Sequence, residues 1–512
     1  MPLIDFNEVE NTNALDLTGF DFTIIGCGAV GIHVALLLAE QAKSVLIIES
    51  GMLGEHAERQ ALNKVTVNRS DMASSAQWGR KRALGGTTIR WGGQALPFRE
   101  LDFKERSWLK QPSWPLEMDV LVKHYADAER YLGVTTDGYY HQKLARLKLS
   151  PPFSSADLDY HVSKWAPQPN MFERHGKNLQ EKTTVLFNAH CVGVTKSDAG
   201  KCTSVTVRNF KGAEIAIELN KLVIANGGLE SARFLMLHQL SQSPALGQGF
   251  MEHPCMDLGV IAADDSAKLQ EKFSTRMHRR QKYGIRLSLS EAAQINNQLT
   301  NSSASLMFET PESAFDPLRA LSTLVSKKNP RKLLEIVKHA RLMSKSVLAY
   351  LQHGIVLKPF AKIRVTAMCE QLASDGSTLS LDHNHLDQFG FPRLKIHWVI
   401  SEATWHSAKY LARVVKRSIE NTFDVDVHLR SEFDAESLAF DSDIFNSVNH
   451  HMGGAVMGLD PGSSVVDPSL KLHDVENVWV ISAAVFPTSS HSNPTLTALA
   501  LGGRFVSTQV GE

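Results

Sequence analysis

Gly26, Gly28 and Gly31 stand in the spacing G-x-G-x-x-G between the apolar run DFTII and IHVALLLAEQA, whose apolar residues recur at helical spacing. SVLIIESG then reads as a second buried strand, closed by Glu49 about 20 residues past the glycines. The pattern predicts a βαβ unit of about 30 residues. In such a unit the first glycine permits a tight turn and the second lets backbone N–H groups approach a pyrophosphate at the helix N-terminus. The third lets helix and strand pack closely. Glu49 can accept both ribose hydroxyls and would repel a 2′-phosphate, which argues against NADP. A glycine triplet alone also fits an ordinary βα turn. Strand, helix and acid in register favour a dinucleotide site, without separating a flavin from a nicotinamide.

At 512 residues the chain is too long for one ordinary core and is expected to form two domains. With 43% hydrophobic and 21% charged residues it reads as a soluble globular protein. Lys plus Arg and Asp plus Glu both total 54, so no global field draws it to nucleic acid, a membrane or an anionic polymer. MPLIDFNEVENTNALDLTGFDF lacks the basic and apolar segments of a secretory signal, which gives a cytoplasmic expectation. No stretch approaches the ~20 apolar residues of a transmembrane helix. Cys27, Cys191, Cys202, Cys255 and Cys369 show no metal-ligand spacing, so they are read as buried thiols and no metal is expected.

Further along, GRKRALGGTTIRWGGQALPF forms a second glycine cluster, too glycine-rich for a regular helix. Between Thr183 and Ile224 three strand-like runs, separated by turn signals, predict an antiparallel meander feeding a final strand. From Met256 to about Asp441 helical windows near 312–352 and 401–422 surround a strand-like region, and VENVWVIS and PTLTALALGGRFVSTQV predict a closing strand and helix.

The segment Leu84-Gly85-Gly86-Thr87-Thr88-Ile89-Arg90-Trp91-Gly92-Gly93 resembles the flavin-wrapping segment of glucose-methanol-choline (GMC) oxidoreductases. KLVIANGGLESARFLM, LGQGFMEHP, HHMGGAVMG, SVVDPSLKLHDVENVWV and VFPTSSHSNPTLTALALG match further blocks in the family's order. WPL near Trp114, HHMG and VFPT followed by HxNPTLT resemble a bacterial branch associated with carbohydrate processing. The resemblance implies an α/β fold, with a Rossmann-like FAD-binding domain of the GMC type and a second α+β substrate-binding domain. The first is assigned to 1–99, 165–255 and 441–512, the second to 100–164 and 256–440. It implies FAD-contacting positions at Gly26, Gly28, Gly31, Glu49, Gly85, Gly86, Thr87, Trp91, Gly92, Gly93, Cys191, Ala225, Pro494 and Thr495. The implied reaction oxidises a CH–OH group, in a sugar, glycoside or polyol, by proton abstraction and hydride transfer to flavin. Oxygen or another acceptor then takes the electrons.

Removing a hydride from an alcohol needs a group to take the hydroxyl proton, and histidine, with an unperturbed pKa near ~6.5, suits neutral pH. The family's base stands three residues before a glycine pair; here that is His450, before Gly453-Gly454. The matching partner is Asn493, which can hydrogen-bond the substrate oxygen without competing as a base. His451 and His491 are neighbouring alternatives with lining or supporting roles, and His253 reads as structural or flavin-side. An arbitrary histidine is more often a packed core residue than a base; the motif around His450 reverses that weighting.

Three departures from the family pattern matter. Arg90 occupies the place of the histidine that carries a covalent flavin in some relatives, so non-covalent FAD is expected. Ser482 stands where an acid is common, and GGAVM replaces GTxRM. Two rivals keep part of the reading: a non-redox FAD lyase of cyanohydrin type, and a non-catalytic dinucleotide-binding protein. Lys327, Lys328, Arg331, Lys332, Lys338, Arg341 and Lys345 lie among apolar residues at helical spacing. A basic amphipathic helix near 327–345 could make weak membrane-surface contact, though an ordinary solvated helix is the favoured reading.

Overall fold

The computed structural model describes residues 3–263, 266–310, 337, 339–358, 362–434 and 440–510. Six short strands form a wholly parallel sheet in the order Leu3–Asp5, Thr184–Phe187, Val45–Glu49, Phe22–Ile25, Lys221–Ile224, Val478–Val480. Strands covered on both faces need continuous apolar runs, and Phe22–Ile25 and Val45–Glu49 are buried at every position. The helix Ala29–Glu40 packs against Met171–Lys182 and Pro494–Val510, so the first helix and the last lie together. The chain places an early strand on one side of Phe22–Ile25 and late ones on the other. A reversal of this kind opens a crevice beyond the carboxyl ends of the strands. Gly26, Glu49 and Ala225 all sit at that edge.

A second, antiparallel sheet has the order Asp426–Leu429, Cys255–Ala262, Lys362–Cys369, Ser302–Glu309, Gln281–Leu289, Leu158–Trp165, Gln94–Ala95, with Arg276–His278 paired to Gln281–Leu289. The helix Glu402–Glu420 packs across its strands. Trp405, Ala408, Leu411, Ala412, Val415 and Ile419 recur at helical spacing and join one apolar core with Tyr283, Ile285, Leu287, Ala304, Leu306 and Val365. The residues between these, Lys282, Gly284, Arg286, Ser303, Ser305 and Thr366, line a cavity. Strand alternation thus gives this sheet an apolar side and a polar side. The α/β fold with a second α+β unit is the expected class.

The predicted meander is the antiparallel set His190–Lys196, Cys202–Arg208 and Glu214–Glu218. The segment 100–164 reaches both sheets: its helix Asp119–Leu132 packs on Pro494–Val510, while Leu158–Trp165 pairs with Gln281–Leu289. Much of the basic stretch near 327–345, including Lys327, Lys328, Arg331, Lys332 and Lys338, lies outside the described residues. The described helix Ala340–His353 carries exposed Arg341 and Lys345. Among the described residues no helix is long and apolar enough to cross a membrane. Cys27, Cys191, Cys202 and Cys369 are buried free thiols and Cys255 is half-buried. Burial raises the Cys191 thiol to about 12, so it is no nucleophile at neutral pH.

Candidate active site

A cavity of about 950 Å³ is lined by the carboxyl edge of the parallel sheet on one side and by the polar face of the antiparallel sheet on the other. At the first end, Gly26 adopts φ 108°, a left-handed conformation that lets the chain turn from strand into helix. Gly28 then opens the helix Ala29–Glu40 with no side-chain cap, leaving its first N–H groups available to an anion. A Cβ on Gly31 would lie 2.0 Å from the Gly26 carbonyl oxygen, so this glycine seats the helix against the turn and does not line the cavity. Both carboxylate oxygens of Glu49 are engaged: Cys27 N–H donates to Oε2 at 2.8 Å and Gly51 N–H to Oε1 at 2.7 Å. Burial raises its pKa, against the lowering effect of these bonds.

The second glycine cluster folds back onto the first. Gly85 N–H donates to the Cys27 carbonyl at 2.9 Å, and a Cβ on Gly86, at φ 56°, would come within 2.8 Å of Gly28 Cα. Two bare backbone turns therefore face one another across this end of the cavity. Gly86, Thr87, Trp91, Gly92 and Gly93 line the cavity, whereas Gly85 only shapes the turn. Cys191, Ala225, Pro494 and Thr495 line it too, and Pro494 starts the helix Pro494–Val510, whose first N–H groups open onto the same space. The open donors, the bare glycine turns and the Glu49 carboxylate at one strand edge fit a dinucleotide.

At the other end His450 and Asn493 meet, with His450 Nε2 and Asn493 Nδ2 3.0 Å apart. Asn493 Oδ1 is sealed from solvent without a partner among the described residues, which leaves an acceptor free for a ligand. His450 N–H donates to both oxygens of buried Glu252, at 2.7 and 2.9 Å, which fixes the backbone that presents the ring. Glu252 also accepts from His253 N–H at 2.9 Å, and burial lifts its pKa to about 7. The ring of His450 faces the cavity, and burial pushes its pKa well below 6.5, with His253, Arg286 and His451 adding in the same direction. The ordinary histidine value expected from sequence is thus corrected downward, because desolvation penalises the imidazolium.

The neighbouring histidines divide clearly. His451 Nε2 lies 3.0 Å from Ser75 Oγ and 3.4 Å from Glu252, and burial lowers its pKa to about 3. His491 is fully buried, does not line the cavity, and has no hydrogen-bond partner on either ring nitrogen among the described residues. His253 does touch the site: its Nδ1 is 2.8 Å from His450 Nδ1. The MEHP motif marked it without showing this contact. Ser482 lines the cavity near Ser231, with the two hydroxyl oxygens 2.9 Å apart. Arg90 is paired with Glu55. Sequence reasoning missed the whole sheet face, including Gln94, Lys282 and Arg286. The one local signal was the alternation in GIRLSL, which puts Arg286 on a strand with apolar neighbours.

A family model described as GMC oxidoreductase matches residues 373–502. The fructose dehydrogenase large subunit of Gluconobacter japonicus is 26% identical, covering 94% of this chain and 96% of that protein. Paromamine 6′-oxidase of Streptomyces fradiae is 22% identical, covering 93% and 89%. A solved structure of formate oxidase superposes with a TM-score of 0.58 over 96% of this chain and 98% of that chain, at 16% identity, a likeness of fold. Residues 373–502 thus match the GMC oxidoreductase model, and over nearly its whole length the chain is similar to proteins of that kind, which are FAD-dependent oxidases and dehydrogenases acting on CH–OH groups.

Proposed function

We propose that this chain oxidises a hydroxyl of a sugar, glycoside or polyol to a carbonyl, with His450 as base, Asn493 as its partner and FAD held non-covalently. The observation that carries the reading is the 3.0 Å pair between His450 Nε2 and Asn493 Nδ2 on the wall of the same cavity as the glycine turns. Bound FAD supplies the acceptor for the hydride. The residues supply the rest. A substrate hydroxyl entering between the two side chains gives its proton to His450 Nε2, while Asn493 Nδ2 donates to the oxygen that gains charge. Asn493 Oδ1 is free to accept a neighbouring hydroxyl, a common feature of polyols. Glu252 holds the His450 backbone in place. The names of the relatives, a fructose dehydrogenase subunit and a paromamine oxidase, support carbohydrate as the substrate class. Non-covalent attachment is supported by Arg90, which stands at the expected linkage position and pairs with Glu55.

The test is anaerobic mixing of the purified yellow protein with a panel of sugars, glycosides and polyols. Bleaching of the flavin by at least one member is expected, with a much slower rate in His450→Asn. A colourless protein, or a flavin that stays oxidised while substrate is cleaved, overturns the reading.

A further inference from the structure

Among the described residues six cationic side chains line the cavity, and their partners divide them. Arg80 and Arg82 both pair with Glu230, at 3.3 and 2.9 Å. Lys81 and Arg90 both pair with Glu55. Lys282 and Arg286, both on the strand Gln281–Leu289, have no carboxylate partner among the described residues.

Arg286 is the more telling of the two. Among the described residues its guanidinium reaches only neutral acceptors, Ser303 Oγ at 3.3 Å and the Gln94 side-chain oxygen at 3.2 Å, and its Nε is sealed without a partner. Burial lowers its pKa to about 10, which leaves it fully charged at neutral pH. A desolvated cation without a counter-charge is costly, and an anion placed beside it offsets that cost. Lys282 stacks its ammonium 3.9 Å from the Trp165 ring centroid on the same face, and Gly284 between them carries no side chain to fill the gap.

We propose that Arg286, with Lys282 beside it, binds an anionic group on the substrate, a carboxylate or a phosphate, so that the hydroxyl oxidised at His450 belongs to an acidic sugar derivative. This rests on the proposed oxidation and adds the charge of the substrate. The planar guanidinium already spans Ser303 and Gln94, so its orientation is set before the ligand enters, a condition for bidentate recognition of an oxyanion. The position on a strand of a packed sheet makes the site rigid.

The experiment compares anaerobic flavin reduction by neutral hexoses and polyols with reduction by hexonates, hexuronates and hexose phosphates, in wild type, Arg286→Met and Arg286→Lys of matched flavin content. The wild type is expected to favour one acidic class over the neutral sugars in kcat/KM, and which class wins tells carboxylate from phosphate. In Arg286→Met the acid-to-neutral ratio should fall by ~10- to 100-fold, the scale of one lost charged hydrogen-bonding partner, with partial recovery in Arg286→Lys. An unaltered ratio, or a wild type that favours neutral sugars, overturns the proposal. If no compound bleaches the flavin, the oxidation reading fails, and the anion site is tested separately by titrating the holoenzyme with acetate and with inorganic phosphate. A saturable flavin spectral change that is lost in Arg286→Met then supports the site, and its absence overturns it.

Discussion

The Nδ1 atoms of His253 and His450 lie 2.8 Å apart, so one of the two nitrogens carries the proton between them. The other nitrogen of His253, Nε2, faces the Ser489 carbonyl oxygen at 3.0 Å, which can only accept. Neutral His253 is therefore protonated on Nε2 and bare on Nδ1, and His450 must donate from Nδ1. That leaves His450 Nε2 bare, pointing at Asn493. The Ser489 carbonyl thus sets, through His253, which nitrogen of His450 is basic.

Replacing His253 should accordingly weaken the proposed base, His450, without removing it. His253→Leu is expected to slow flavin reduction by ~10- to 100-fold, the loss of one hydrogen bond to a group that becomes charged. His450→Asn should slow it by ~10²–10⁴-fold, as for loss of a general base. Stopped-flow reduction of both variants at matched flavin content provides the comparison. Equal rates in His253→Leu and wild type would show that the histidine pair does not tune the base.

The acid limb of the reaction should lie low. Burial holds the His450 pKa well below 6.5, and a base works only in its neutral form. Reduction should stay fast as pH falls through 6.5 and decline only in more acidic solution. A pH profile of the reductive rate constant in wild type and Glu252→Gln checks this, since Glu252 itself titrates near 7, and an inflection centred at 6.5 that persists in Glu252→Gln counts against the buried environment described here.

The glycines of the first turn should separate cofactor binding from folding. Gly28 has ordinary backbone geometry, φ −87°, and a Cβ there meets nothing nearer than Gly86 Cα at 4.0 Å. Gly28→Ala should fold normally yet bind FAD at least about 10-fold more weakly, equivalent to ~1.4 kcal/mol. A Cβ at Gly31 would strike the Gly26 carbonyl oxygen, so Gly31→Ala should lower the thermal midpoint of the protein even without cofactor, on the ~1–3 kcal/mol scale of overpacking. Thermal unfolding of the apoproteins and flavin titration decide the matter.

Acid precipitation should release the flavin completely into the supernatant. Under the proposed non-covalent attachment, Arg90 stands where the family resemblance would place a histidyl link, and its guanidinium pairs with Glu55. Yellow colour retained in the pellet would point to a linkage elsewhere in the chain.

The nucleotide end was legible in the sequence because its parts are near neighbours: Gly26, Gly28 and Gly31 act through one turn, and Glu49 ends the adjacent strand. His450 and Asn493 were reached through resemblance to a family, since no spacing along the chain predicts their 3.0 Å approach. The polar face of the antiparallel sheet was not legible. Gln94, Lys282, Ser303 and Thr366 come from four strands, and only the pairing register brings them onto one surface. The segment 100–164 was assigned to one unit, yet Trp114 donates from Nε1 to Thr488 Oγ1 at 2.8 Å beside the last helix, a contact between residues far apart in sequence.

The central strand Phe22–Ile25 is joined on its late side by Lys221–Ile224, and that strand in turn by Val478–Val480. During synthesis the first glycine turn leaves the ribosome hundreds of codons before the segment bearing Asn493. Contacts of such sequence separation form slowly, since closing a long loop precedes any gain from the pairing. A nascent or stalled chain ending short of Val478 would display the first glycine turn beside an unfinished sheet edge, without Asn493 behind it. Flavin uptake in a series of truncated chains therefore measures how far translation must run before the pocket closes.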